Sequence, residues 1–113
     1  MNKKKIPRWE RFEIDCCDYL SMEHKGGSGK ADCINPKDPT QIAEAKSYSR
    51  AFNAYDLKRE VKNAKKHGGE QIEIMVEEDC TKNAKELAKK LPGVKLTCNC
   101  NSLFKKRGKK EKN

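Results

Sequence analysis

Between Ala54 and Cys98 the apolar residues change their spacing three times, and that alternation constrains the fold more than any other feature of the chain. Ala54, Leu57, Val61 and Ala64 fall on one helical face, and Gly68-Gly69 ends the block. Ile72, Ile74 and Val76 then alternate as in a strand over 71–76. Thr81 is placed to cap a second helix carrying Ala84, Leu87, Ala88 and Leu91, which Pro92-Gly93 stops. Val94, Leu96 and Cys98 alternate again in a last strand. Strands that alternate with helices in this way call for a sheet with helices laid on its faces.

The front half adds to that pattern. Pro7 suits a first helical turn, and Trp9, Phe12, Cys16, Tyr19 and Leu20 recur at helical spacing, so a helix is expected over 8–22 with Trp9 in the core. Gly26 to Gly29 form a tight loop. Ala31 to Asn35 and Gln41 to Lys46 read as two strands of a hairpin, separated by Pro36, Asp38 and Pro39. The order helix, strand, strand, helix, strand, helix, strand predicts an α/β domain with a mixed sheet.

At 113 residues there is room for one domain. The net charge of +9 sits at the ends: residues 1–8 contribute +4 and residues 104–113 contribute +5, leaving 9–103 neutral. The expected organisation is a basic arm over 1–8, a domain over 9–103 and a basic tail over 104–113. Such ends bind nucleic acid without reading its sequence, or serve only as solvated extensions. No apolar run reaches membrane-spanning length and none resembles a signal peptide, so no membrane partner is expected. The six cysteines lack zinc-ribbon spacing and several stand where an apolar residue is due, so buried reduced thiols and an intracellular site of action are expected. His24 and His67 lie in polar stretches and read as solvent-exposed, and Glu77-Glu78-Asp79 reads as a solvated edge or as a helix lead-in that counters the local macrodipole.

The chemistry-bearing segment is Gly26-Gly27-Ser28-Gly29-Lys30-Ala31-Asp32, a turn, and Glu44-Ala45-Lys46. Alternation puts Glu44 and Lys46 on one face of a strand with Ile42, and Ala43 and Ala45 on the other. A hairpin brings Asp32 towards Glu44. Two carboxylates can then hold a hard divalent cation through oxygen, and an ammonium beside them can orient water and stabilise charge on a phosphate. An ordinary salt-bridged strand pair is the bland alternative.

Trp9-Glu10-Arg11-Phe12-Glu13, Gly27-Ser28-Gly29, Ala31-Asp32 and Glu44-Ala45-Lys46, in that order, resemble the PD-(D/E)xK nuclease superfamily, nearest to its archaeal-type Holliday-junction resolvases and Mrr-like endonucleases. The resemblance covers roughly 9–98 and implies a restriction-endonuclease-like fold. It makes Asp32 and Glu44 metal ligands, Lys46 the catalytic lysine and Glu13 the helix carboxylate of the same centre, with Glu10 as the neighbouring alternative. It implies Mg²⁺ as cofactor, with Mn²⁺ able to substitute. Ser28, matching the resolvase loop serine, Lys30, Tyr48 and the basic side of the middle helix at Lys58, Lys62 and Lys65 are the expected contacts to nucleic acid. Ala31 stands where the superfamily's naming proline would be, and the usual first strand must be short or missing.

The expected activity is metal-dependent hydrolysis of phosphodiester bonds, with DNA favoured over RNA. A junction-cutting enzyme would be expected to act as a homodimer. A nuclease toxin domain, cutting tRNA or DNA and neutralised by an acidic immunity protein, fits the same residues. From another class, a non-catalytic nucleic-acid-binding module would use the tails for affinity and the carboxylates only structurally.

Overall fold

A computed structural model describes residues 6–26 and 31–104 of the chain. The arm at 1–5, the loop at 27–30 with Ser28 and Lys30, and the tail at 105–113 lie outside the described residues.

The elements run in the order α1 (Arg8–Tyr19), β1 (Glu23–His24), β2 (Cys33–Asn35), β3 (Asp38–Lys46), α2 (Ala54–Lys66), β4 (Gln71–Val76), α3 (Lys82–Lys90) and β5 (Val94–Thr97). They make one five-stranded mixed sheet in sequence order, β1 to β5. The pairs β1–β2 and β2–β3 are antiparallel, whereas β3–β4 and β4–β5 are parallel. Parallel neighbours need long crossovers, and α2 and α3 supply them. The expected α/β class and mixed sheet are therefore present.

Two returns in the same direction put α2 and α3 on one face of the sheet. There Leu57, Val61 and Ala64 of α2 and Ala84 and Ala88 of α3 pack with Ile42, Ile72, Ile74 and Val76. The opposite face takes α1, where Phe12 and Cys16 meet Ala45, Met75 and Cys100. Ala43 and Ala45 thus face α1 while Ile42 faces α2, as alternation along β3 requires. Small residues at 43 and 45 give α1 room for Phe12.

Each helix is begun and ended by local chemistry. Asn53 caps α2, its side chain accepting from the Asp56 N–H while the Asp56 carboxylate accepts from the Asn53 N–H. At the other end Gly68, with φ of +88°, donates to the Lys65 carbonyl and Gly69 to that of Ala64, closing a Schellman turn. Thr81 caps α3 by accepting from the Ala84 N–H. Helix α1 stops at Tyr19, short of the expected residue 22. Ser21 takes φ of +57°, and the Met22 N–H turns back to the Cys17 carbonyl. β3 begins earlier than expected, at Asp38, with Pro39 inside it near the hairpin turn.

The cysteine expectation is overturned. Cys17 is bonded to Cys33 and Cys80 to Cys98, and only Cys16 and Cys100 are free, both buried. Closing loops of this length contributes about 3 kcal/mol each, as much as burying one large apolar side chain. That matters in a core whose commonest buried residues are the small alanine and cysteine. Trp9, expected inside, is 56% exposed. Helix α1 turns Phe12, Cys16 and Cys17 inward and leaves Trp9 at its open first turn. The acidic run is also not a solvated edge at its start. Glu77 is buried, paired with Arg8 at 2.9 Å and hydrogen-bonded by the Ser47 hydroxyl.

Candidate active site

The hairpin of β2 and β3 builds the centre of the site. Cys33 pairs with Ala43 and Ile34 with Ile42, so one step further along the ladder Asp32 stands opposite Glu44. Asp32 itself sits at a bend before β2. One of its carboxylate oxygens, Oδ2, accepts the Ala45 N–H at 2.8 Å, and its carbonyl accepts the Lys25 N–H at 2.9 Å. The residue is thus tied to backbone on both sides, its side chain to Ala45 and its carbonyl to Lys25.

Glu44 lies in the central strand and is 2% exposed. Its Oε2 is buried and has no hydrogen-bond partner. An ionised oxygen left in that state costs more than a kilocalorie or so, and buried carboxylates are normally paired or metal-bound. Burial, and then the neighbouring charge of Asp32, push the Glu44 carboxyl up to about 8. Lys46 pulls the other way and does not win.

Lys46 follows on the same face at the end of β3. Its Nζ lies 3.2 Å from Glu60 Oε1, and Glu60, from α2, is itself only 5% exposed. Burial works to lower the lysine's pKa, but the carboxylates of Glu60, Asp32 and Glu44 more than offset it and the net shift is upward. Lys46 is therefore a lysinium at neutral pH. It can orient water or stabilise anionic oxygen, but in this state it has no lone pair to take a proton.

Glu13 comes from α1 on the far side. Its Oε1 and His24 Nε2 share a hydrogen bond at 3.1 Å. Burial raises the Glu13 pKa, the His24 contact opposes the rise, and the Asp32 charge adds to it. Among the described residues no three His, Cys, Asp or Glu side chains converge into a metal-holding group. Asp32 and Glu44 form the pair, and Glu13 is turned to His24. His24 is not a loosely solvated loop residue as expected, because β1 places it against α1. His67 is half-buried at the end of α2.

The other expected contacts divide. Tyr48 stacks on Phe52 with ring centres 5.7 Å apart, carries the Arg50 guanidinium over its ring at 4.8 Å, and accepts from Arg59 Nη2 at 2.7 Å. Those contacts engage both its ring and its hydroxyl within the protein, and it does not line the groove at Lys46. Lys62 lines a groove of about 350 Å³ with Lys46, Arg59, Glu60, Asn63 and Lys66. Lys58 and Lys65 are exposed on α2 but do not line it.

Sequence reasoning missed Glu60. The signal was present: it lies three residues after Leu57 and four before Ala64, an acidic side chain inside the apolar stripe. Asp56 is the same kind of residue, fully buried and held by Arg50 at 2.6 and 3.0 Å. The Arg50 hydrogen bonds hold its carboxyl below the ordinary aspartate value. Glu60, Arg59, Asp56 and Arg50 so form an alternating chain of charges leading from Lys46 to the start of α2.

No protein-family model, curated protein or solved structure matches this chain.

Proposed function

We propose that this chain is a divalent-metal-dependent nuclease that hydrolyses phosphodiester bonds, with DNA the favoured substrate and a restriction-endonuclease-like arrangement of its mixed sheet. The observation that carries the reading is the unpartnered, buried Oε2 of Glu44 beside Asp32. A cation between the two carboxylates would satisfy that oxygen and offset the burial and the Asp32 charge that keep Glu44 protonated. The donor set is all oxygen, which suits Mg²⁺ or Mn²⁺. Bound there, such an ion would polarise a phosphate and acidify a coordinated water.

The chain's own residues supply the rest. Asp32 and Glu44 would hold the ion, and Glu13 adds negative charge from α1. The Lys46 ammonium, on the Glu44 face, would steady an attacking water or a phosphate oxygen. Arg59, Lys62 and Lys66 line the groove that opens at Lys46 and give a polyanion a path to it.

The toxin reading gains weight from a specific observation. Two disulfides belong to oxidising surroundings, so the premise for an intracellular site of action is gone. Among the described residues no helix is long and apolar enough to cross a membrane. A nuclease domain stapled in this way suits export towards a target cell, with tRNA or DNA as substrate and an acidic immunity protein as its antagonist.

The test is cleavage of plasmid DNA, a four-way junction, single-stranded DNA and tRNA in Mg²⁺, Mn²⁺ or EDTA. Cutting that needs metal and disappears in both Asp32→Ala and Lys46→Ala supports the reading. Binding without cutting, equal in all three proteins, leaves a nucleic-acid-binding module.

A further inference from the structure

We propose that Glu60 is a positioning residue that draws the Lys46 ammonium to the α2 side of the site, leaving Asp32 and Glu44 free to take a cation. The inference rests on the metal-dependent reading above and deepens it.

Lys46 has three carboxylates acting on it, those of Glu60, Asp32 and Glu44 in falling order. It forms an ion pair within 4 Å with Glu60 and, among the described residues, with neither of the other two. That choice is set by structure. Glu60 is buried on the apolar side of α2, and its second oxygen, Oε2, lies 3.6 Å from Arg59 Nε. Arg59 is in turn tied to the Tyr48 hydroxyl at 2.7 Å. The carboxylate is thus gripped on one oxygen and offers the other to the lysine.

Without that anchor the three-quarters-buried ammonium keeps its need for a counter-charge, and only Asp32 and Glu44 remain to meet it. A lysine folded onto them would neutralise the pair and compete with a cation for the same oxygens. Glu60 would then support metal binding without touching the metal. Groups that orient a metal site from behind commonly change its affinity by 10–100-fold when removed.

The experiment is calorimetric titration of Mn²⁺ into the unaltered chain, Glu60→Gln, Lys46→Met and the double variant, with a thermal melt of each to verify folding. Glu60→Gln should bind Mn²⁺ about tenfold more weakly. Lys46→Met should bind at least as tightly as the unaltered chain, and adding Glu60→Gln to it should change nothing further. A merely structural role for Glu60 would weaken binding in both backgrounds, and that result overturns the proposal. So does Glu60→Gln binding like the unaltered chain. If Glu60→Gln does not fold, Glu60→Asp, with its shorter reach, should show a smaller loss that also vanishes in Lys46→Met, and an unchanged affinity is again fatal. Failure of the unaltered chain to bind Mn²⁺ would instead remove the nuclease reading, and this inference with it.

Discussion

Glu44 stands opposite Asp32 across the hairpin of β2 and β3, and one oxygen of Glu44 is sealed in the protein without a partner. An arrangement of this kind is expensive for stability alone. Burial of Glu44 first, and the charge of the half-buried Asp32 beside it second, hold the Glu44 carboxyl protonated. Its cost is most simply explained by an occupant that the carboxylates share.

That cost should be visible as a pH dependence. The Glu44 carboxyl is near 4.5 when free and about 8 in the folded chain, so between these values the folded state holds a proton that the unfolded state has released. Stability in EDTA should therefore fall as pH rises from 4.5 to 8, by roughly 1.4 kcal/mol for each unit from this group, and level off above. Glu13, whose pKa is also raised, adds to the slope in the same direction. Urea melts across this range should show Glu44→Gln matching the unaltered chain at low pH and exceeding it at pH 8. Parallel curves would contradict the assignment of the shift to Glu44.

The Cys17–Cys33 bond links the helix that carries Glu13 to the strand that follows Asp32. Cys17 is one helical turn after Glu13, and Cys33 is adjacent to Asp32. Replacing this pair by alanine should cost about 2–4 kcal/mol and also weaken Mn²⁺ binding, since both carboxylate-bearing elements loosen together. Replacing Cys80 and Cys98, distant in sequence from the carboxylates, should cost a similar amount of stability with Mn²⁺ affinity unchanged. Melts and Mn²⁺ titrations of the two double variants separate these outcomes.

The groove on α2 makes a separate prediction. Lys62→Ala with Lys66→Ala should weaken binding of single- or double-stranded DNA and make the slope of log affinity against log salt shallower by about 1.4–1.8, the contribution of two phosphate contacts. Mn²⁺ affinity should not change, because neither lysine meets the carboxylate pair. Lys58→Ala with Lys65→Ala, outside the groove, should have the smaller effect in a filter-binding or anisotropy assay.

What could be read from the sequence follows from what is local. β4 runs from Gln71 to Val76 and α3 begins after Thr81, as expected, because periodicity and caps act over a few residues. That Asp32 and Glu44 lie on the two strands of one hairpin was also legible, but the register that brings them together is set by an irregularity between Ile34 and Asn35 that the turn residues do not announce. An acidic residue inside the α2 stripe was legible at Glu60, but its partner was not, because only the crossover of α2 onto β3 shows that it meets Lys46. The cysteines misled for the same reason. A thiol at an apolar position looks identical in sequence whether it packs alone, as Cys16 does, or meets a partner 16 residues on, as Cys17 does. Trp9 failed differently, because a helical stripe does not say where along its length the neighbouring layer ends.

The central claim is that Asp32 and Glu44 share a divalent cation. Its most direct test is Mn²⁺ titration at pH 7 by calorimetry in two buffers of different ionisation enthalpy. With Glu44 near 8, binding to the unaltered chain should release about one proton, and both the release and most of the affinity should be lost in Glu44→Gln. Mn²⁺ binding of equal strength and equal proton release in the two proteins, or no binding by the unaltered chain, would contradict the account.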